Sequence, residues 1–133
     1  MADIRKSLVI AAPIEKVWAA LTDPPAIRGW MGEDSQVEVD LKVGGRYRLF
    51  GGDTSGQFTR VNPPDLLEYT WRQAEWKREW PDSVVRWALT RTGSDTQVRL
   101  THGQFPNHDE RDSHDEGWDI YWLEPMKDWL EAA

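Results

Sequence analysis

Hydrophobic and polar positions follow a helical period at both ends of the chain and a strand period in the middle. An apolar run over residues 8–10 predicts a short strand. Pro13 then stands where proline favours the first turn of a helix. The next apolar side chains recur at the spacing of one helical face: Ile14, Val17, Trp18 and Leu21. The turn at residues 22–25 ends this helix and leaves room for a second short helix over residues 26–30.

From Gln36 to Gln104 the period changes to two, and glycine, proline and asparagine turns divide the segment into short strands. This pattern predicts a meander of antiparallel strands with one buried face. The inward positions are Val37, Val39, Leu41, Tyr47, Leu49, Leu67, Tyr69, Trp71, Val85, Trp87, Leu89, Val98, Leu100 and His102. The outward positions are Arg46, Arg48, Glu68, Thr70, Arg72, Arg86, Arg99 and Thr101.

After a polar stretch over residues 106–116, the helical period returns in a larger apolar stripe. Its members are Trp118, Trp122, Met126 and Trp129. Pro125 lies inside the stripe, so the helix should kink there, or end at Glu124 and restart with Pro125 in its first turn. A curved antiparallel sheet with one apolar face and one long helix to cover it predicts a two-layer α+β domain.

Five stretches of the chain resemble a known family when they are taken in order. They are IAAPIEKVWAALTDPPAIRGWM (residues 10–31), GGRYRL (44–49), PPDLLEYTWR (63–72), VRLTHGQF (98–105) and GWDIYWLEPMKDWL (117–130). Together they resemble the SRPBCC or START-like superfamily, in the branch named for the C-terminal domain of the activator of the ninety-kilodalton heat-shock-protein ATPase.

This resemblance implies the helix-grip fold, in which a curved antiparallel sheet wraps around a long C-terminal helix and two short helices follow the first strand. It also implies a hydrophobic cavity between sheet and helix. Members of the superfamily bind lipids, hormones or polyketides, act as cyclases, or assist chaperones in the stress response, so the fold by itself leaves the function open.

Composition narrows the range of partners. The 133 residues suit a single domain over residues 1–133, and 16 basic against 23 acidic side chains give a net charge of −7. That charge argues against a nucleic-acid or anionic-membrane partner. The chain has no cysteine, which excludes disulfides and thiolate chemistry. With no long apolar segment and no signal-like N-terminus, we expect a cytoplasmic protein.

Nine tryptophans are the unusual feature of the composition. One interpretation is a ligand pocket walled by aromatic rings, and the alternative is a solid core in which the rings fill the space. The predicted ligand-binding residues are Trp30, Tyr47, Tyr69, Trp71, Trp87, His102, Trp118, Trp122 and Met126. Trp76 and Trp80, on a charged hairpin, either are exposed and mark a partner contact or the cavity rim, or fold back as cross-strand neighbours.

His102 is the weak candidate for a catalytic residue, because strand alternation points it inward. The competing interpretation is a core histidine held by protein groups, and no second member of a catalytic pair stands out. Residues 108–116 combine two histidines with five carboxylates, but their spacing fits no metal motif. It is typical of a solvated loop whose acidic residues lie at or before the N-terminus of the terminal helix. We therefore predict no metal and no cofactor.

The leading hypothesis is a protein that binds a small apolar or aromatic molecule between the sheet and the terminal helix. One alternative is a chaperone-ATPase-stimulating interaction domain, with a chaperone as partner. The other is a cyclase or hydrolase that uses the same cavity, although we favour a protein that is not an enzyme. The oligomeric state is left open between monomer and homodimer.

Overall fold

The computed structural model describes residues 2–132. In this part of the chain a first strand is followed by two short helices, then by a run of strands and finally by a long helical segment. The strands are β1 (Ile4–Ile10), β2 (Glu38–Val39), β3 (Arg46–Leu49), β4 (Thr54–Asn62), β5 (Leu66–Gln73), β6 (Ser83–Thr92) and β7 (Asp95–Gly103). The helices are α1 (Ile14–Thr22), α2 (Pro24–Met31), α3 (His108–Trp118) and α4 (Glu124–Glu131).

The strands form one antiparallel sheet in the order β1-β7-β6-β5-β4-β3-β2. The last strand, β7, pairs with the first strand, so the sheet brings the two ends of the strand series together. His102 of β7 lies opposite Ile4 of β1 on one side and Val85 of β6 on the other. The inward residues of β3 and β5 to β7 are buried, which confirms the alternation read from the sequence.

The terminal helix runs over residues 108–131 and crosses the concave face of the sheet. A π-helical turn, Asp119–Leu123, separates α3 from α4, and the N–H of Glu124 bonds the carbonyl of Asp119. Pro125 has no N–H to give to the preceding turn, so the helix widens before it and restarts with Pro125 in the first turn of α4. Pro125 thus lies in the first turn of α4, as the second prediction had it, but the helix continues through the π turn and does not end at Glu124.

Two predicted inward positions were wrong. Leu41 is 38% exposed because β2 ends at Val39 and the chain has already turned away from the sheet. Trp129 is 39% exposed, and Leu130 is the buried residue at that level of the helix. The wider π turn rotates the following residues about the helix axis, so the stripe continues one residue later than a regular α-helical period predicts.

The predicted start of the terminal helix is also corrected. The sequence pattern placed it after the polar stretch over residues 106–116, but α3 already begins at His108. The Asn107 side chain caps this helix by accepting a hydrogen bond from the N–H of Glu110, 2.9 Å away. Asp109 and Glu110 occupy the first turn, where the helix dipole favours negative charge. A capped, acidic first turn therefore starts the helix ten residues before its apolar stripe.

Polar contacts fasten the terminal helix to the edge strand β1. The Lys6 ammonium lies 3.0 Å from a carboxylate oxygen of Asp115 and 2.9 Å from one of Asp119. Near the other end, the N–H of Ala11 donates to Glu131 at 2.8 Å, and Lys127 donates to the carbonyl of Val9 at 2.9 Å. Both ends of β1 are thus tied to the helix, which holds the grip closed. No helix in the described residues is long and apolar enough to cross a membrane.

Candidate functional site: an aromatic pocket beside the terminal helix

A cavity of about 500 Å³ opens between the adjoining ends of β4 and β5 and the terminal helix. The sheet side contributes the 3₁₀ turn at residues 50–52, the start of β4, the end of β5 and the loop that follows β5. The helix side contributes α3 and the π turn. The pocket therefore lies at the junction where the sheet meets the helix, as the resemblance implied, but toward the edge of the grip.

Aromatic side chains form one part of the wall. They are Phe50, Trp71, Trp118, Tyr121 and Trp122. The indole rings of Trp71 and Trp118 lie 5.0 Å apart between centroids, and those of Trp118 and Trp122 lie 4.8 Å apart. Because these three rings are buried and pack against one another, they form a preformed surface for a flat or apolar molecule.

Polar groups occupy the rest of the lining. Three are carboxylates: Asp53, Glu75 and Glu110. The other polar side chains are Thr54, Gln73, Ser113 and His114. Among residues 2–132, no lysine or arginine lines the cavity. Aromatic rings that are combined with polar groups are found in sites for small organic molecules.

His114 is locked in place by the wall around it. Its Nδ1 lies 2.7 Å from the carbonyl oxygen of Glu110 and donates to it, while its Nε2 accepts the indole N–H of Trp71 at 3.2 Å. This assignment follows because the carbonyl can only accept and the indole can only donate. Both ring nitrogens of this histidine are therefore engaged by the protein.

Glu110 is held by the loop after β5. One of its oxygens accepts the indole N–H of Trp76 at 2.6 Å. Trp76 is 5% exposed and packs edge-to-face against Trp80, with ring centroids 6.3 Å apart. The hairpin therefore folds back onto the helix start. Trp76 is buried there, and since both residues lie outside the strands they are not the cross-strand neighbours that the sequence also allowed. This contact closes one side of the pocket.

His102 lies behind the pocket wall and does not line the cavity. Its Nδ1 accepts the indole N–H of Trp118 at 3.0 Å, so its Nε2 carries the proton and donates to Ser83 Oγ at 2.7 Å. Ser83 Oγ in turn donates to the carbonyl of Trp71 at 2.9 Å. Burial lowers the pKa of His102 to about 2, and the nearby His114 adds a smaller effect. These are the contacts of a core histidine held neutral by its neighbours.

The remaining predicted ligand residues lie deeper in the grip. Tyr47 and Tyr69 border a second space of only about 20 Å³, too small for an organic ligand. Trp87 and Met126 are fully buried, and the Trp87 indole N–H donates to the Tyr69 hydroxyl at 2.9 Å. Trp30 donates to the carbonyl of Ala20 and packs on Trp122 at 5.4 Å. The middle of the grip is thus filled by aromatic rings.

Of the nine predicted ligand residues, Trp71, Trp118 and Trp122 are the ones brought together on the pocket wall. The sequence reading missed Phe50, Gln73 and Tyr121 as lining residues, and it treated Glu110 and His114 only as part of a polar segment. Two features of the sequence could have indicated these lining residues. Phe50 is an apolar residue beside Gly51 and Gly52, where a strand ends, and residues 110, 114, 117, 118 and 121 have the spacing of one helical face.

Among residues 2–132, no group of three or more histidine, aspartate and glutamate side chains is placed to hold a metal ion.

The curved seven-stranded antiparallel sheet around a long C-terminal helix is the helix-grip fold. The family of activator of Hsp90 ATPase homolog 1-like proteins matches residues 11–131, so the chain belongs to that family. The resemblance inferred from the sequence motifs is confirmed by this match.

Solved structures agree on the fold. An HSP90 activator from Plasmodium falciparum superposes with a TM-score of 0.87 at 26% identity, covering 98% of this chain and 96% of the other. The protein CalU16 from Micromonospora echinospora gives a TM-score of 0.81 at 28% identity, covering 96% and 75%. An Aha1 dimer from Colwellia psychrerythraea gives 0.80 at 24% identity, covering 98% and 97%, which is a likeness of fold alone.

A curated protein of Schizosaccharomyces pombe, described as uncharacterized, is 28% identical over 75 residues. The match includes 56% of this chain but only 22% of that relative's length. The shared region is therefore a small part of a longer protein.

Proposed function

We propose that the protein binds a small, mainly apolar or aromatic molecule in the pocket beside the terminal helix. The observation that carries this proposal is the cavity of about 500 Å³ with the indole rings of Trp71, Trp118 and Trp122 on its wall. This volume lies within the range of roughly 300–1,000 Å³ that ligand sites occupy.

The mechanism is burial of apolar ligand surface against rings that are already packed. Burial contributes roughly 25 cal/mol per Å² of apolar surface removed from water. The walls are held before a ligand arrives, since Trp71 and Trp118 donate their indole N–H groups to His114 and His102. A preformed wall lowers the conformational cost of binding.

Tryptophan fluorescence tests the proposal, because three indoles line the cavity. A library of polyketides, fatty acids and aromatic metabolites is titrated into the protein, and native mass spectrometry of the freshly purified chain detects any molecule that copurifies. Saturable quenching or a wavelength shift with at least one class supports binding. If no compound changes the emission and no mass adduct is found, the proposal fails.

A second function has one specific observation in its favour. The likeness to the HSP90 activator from Plasmodium falciparum extends over 98% of this chain. Under this alternative, the protein contacts a chaperone of the ninety-kilodalton heat-shock class and stimulates its ATPase. An ATPase assay with the chaperone from the same organism tests it, and an unchanged turnover rate at saturating protein rejects it.

The third hypothesis, a cyclase or hydrolase with His102 as acid–base residue, receives little support from the site. Both His102 nitrogens are engaged by Ser83 and Trp118, and the imidazole does not line the cavity. A general acid or base must come within about 3 Å of the proton that it transfers. We therefore propose a binding role for the pocket and assign His102 no catalytic one.

A further inference from the structure

The proposed pocket has hydrogen-bonding and charge properties that select among apolar molecules. We infer that its ligand is a cation, a protonated amine or quaternary ammonium attached to an aromatic or apolar body. This inference rests on the proposed function, and it concerns the charge that the ligand carries. It follows from three features of the cavity: its spent donors, its carboxylates and its aromatic rings.

Many hydrogen-bond donors of the wall are already spent within the protein. The indole N–H groups of Trp71 and Trp118 donate to His114 and His102. Beside the pocket, the indole N–H of Trp76 donates to Glu110. The Nδ1–H of His114 is given to the carbonyl of Glu110, and the Ser113 hydroxyl donates to the same oxygen at 3.0 Å. An anionic ligand needs donors or positive charge. Among the described residues, the wall has no positive charge to offer, and its remaining donors are the Trp122 indole, the Gln73 amide and the Tyr121 hydroxyl.

The charges that face the cavity have one sign. Asp53, Glu75 and Glu110 line it, and no basic side chain of residues 2–132 does. Arg72 of β5 and Lys77 of the loop after it are engaged elsewhere. The Arg72 guanidinium bonds the carbonyls of Lys77 and Trp80 and pairs with Asp82, and the Lys77 ammonium lies over the Trp80 ring, 5.6 Å from its centroid. An anion in the pocket would meet three carboxylates without compensation.

Glu110 is the best placed of the three carboxylates. It is partly buried at the start of α3, and its bond from Trp76 fixes one oxygen and leaves the other as an acceptor. His114, one turn further along α3, and Trp71 across the pocket surround the same corner of the cavity. Because burial strengthens a charge–charge attraction, a ligand ammonium gains most beside this carboxylate.

The aromatic rings favour the same ligand. A cation is attracted to the face of an indole within about 6 Å of its centroid, and tryptophan gives the strongest such attraction. Three tryptophans and two other aromatic rings line the cavity. The rings and carboxylates together therefore suit a ligand with a cationic head and an apolar body. A fatty acid matches only the apolar rings, because its carboxylate has the same sign as those of the pocket.

Three probes that share one ring system and differ in charge test the inference: pyrenemethylamine, pyrenemethanol and pyrenecarboxylate. Energy transfer from the pocket tryptophans to pyrene reports binding at physiological salt. We expect the amine to bind about tenfold more tightly than the alcohol, and the carboxylate to bind more weakly than both. If the three probes bind alike, the pocket exists but the cation inference is overturned. If none binds, the proposed function fails and this inference with it.

A pair of matched variants identifies the source of the preference. Glu110→Gln keeps an acceptor for the Trp76 indole and removes one pocket charge, whereas Glu116→Gln removes the same charge from an exposed position on α3 outside the lining. We expect Glu110→Gln to weaken the amine about fivefold or more and to leave the alcohol within about twofold. Glu116→Gln should leave both unchanged. Equal losses in the two variants would show attraction to net charge alone and would overturn the inference.

The triple variant Asp53→Asn, Glu75→Gln, Glu110→Gln removes all three carboxylates that line the cavity. It should bring the amine and the alcohol to similar affinities, with the unfolding transition checked by urea titration. A preference for the amine that survives all three substitutions would overturn the assignment of these carboxylates.

Discussion

The indole N–H of Trp118 donates to Nδ1 of His102 across 3.0 Å, and this contact fixes the tautomer of a fully buried imidazole. Trp118 comes from the terminal helix and His102 from strand β7, so the bond joins the two layers of the fold. It continues through Ser83 to the carbonyl of Trp71. One chain of hydrogen bonds thus lies directly behind the pocket wall.

Substituting Trp118 by phenylalanine should destabilise the fold. The change leaves the Nδ1 acceptor of His102 buried without its donor and removes part of a ring from the core. We expect a loss of about 1–3 kcal/mol in the free energy of unfolding, measured by urea titration. Trp129→Phe is the matched control, because Trp129 is 39% exposed, and its loss should stay below about 0.5 kcal/mol. Equal losses for the two variants would contradict this account of the bond.

The stability of the protein should fall as the pH drops below about 6.5. The folded-state pKa of His102 is about 2, below the ordinary value of 6.5, so between these values the unfolded chain binds one more proton than the folded one. Acidification therefore favours unfolding, with a slope from this residue approaching about 1.4 kcal/mol per pH unit.

Unfolding free energies measured between about pH 6 and pH 5 check this slope, since that window lies above the carboxylate range. His102→Gln should flatten the slope, whereas substitution of the exposed His108 by glutamine should leave it in place. A slope that His102→Gln leaves unchanged would show that another group is responsible.

Filling the pocket from Gly117 should block ligand binding without unfolding the protein. Gly117 lines the cavity, and a Cβ placed there meets only the Tyr121 ring, at 3.9 Å, so a side chain has open space ahead of it. Gly117→Leu should weaken a pocket-binding pyrene probe by about tenfold, since it takes up volume that the ligand needs.

Gly117→Ala is the control for that change. It should bind the probe nearly as the parent chain does and raise the free energy of unfolding by about 0.5–1 kcal/mol, because alanine favours a helix interior more than glycine does. Unchanged binding in the leucine variant, with its fold retained, would place the ligand elsewhere.

Trp76→Phe should loosen the loop that closes one side of the pocket. The substitution removes the N–H that Glu110 accepts at 2.6 Å, a hydrogen bond to a charged group. We expect a loss of about 1.5–3 kcal/mol in urea unfolding. Trp80→Phe, on the same loop but without a contact to Glu110, should cost less. Iodide quenching gives a second readout: in the parent protein Trp76 should be shielded, and strong quenching assigned to it would contradict the folded-back hairpin.

Local patterns in the sequence predicted the secondary structure and the inward face well. Alternation placed Trp71, Trp87 and His102 in the interior, and Pro125 marked the interruption of the terminal helix. These predictions succeed because each depends only on neighbours in the chain. Side chains alternate with a period of two in a strand, and proline lacks the N–H that a helix uses. Trp129 was misplaced because the π turn shifts the phase of the helix, and the residue pattern does not show that shift.

The sequence by itself determined the helix-grip architecture, its family and the presence of a large aromatic interior, because these follow from periodicity and from motifs in order along the chain. The tertiary structure decided which tryptophans line an open space and which are core, since that depends on packing between segments far apart in sequence. It also decided that His102 is held by Ser83 and Trp118, and that Glu110 and His114 face a cavity with Trp71. A cavity is the volume that packed side chains leave unfilled, and that volume exists only once the helix lies on the sheet.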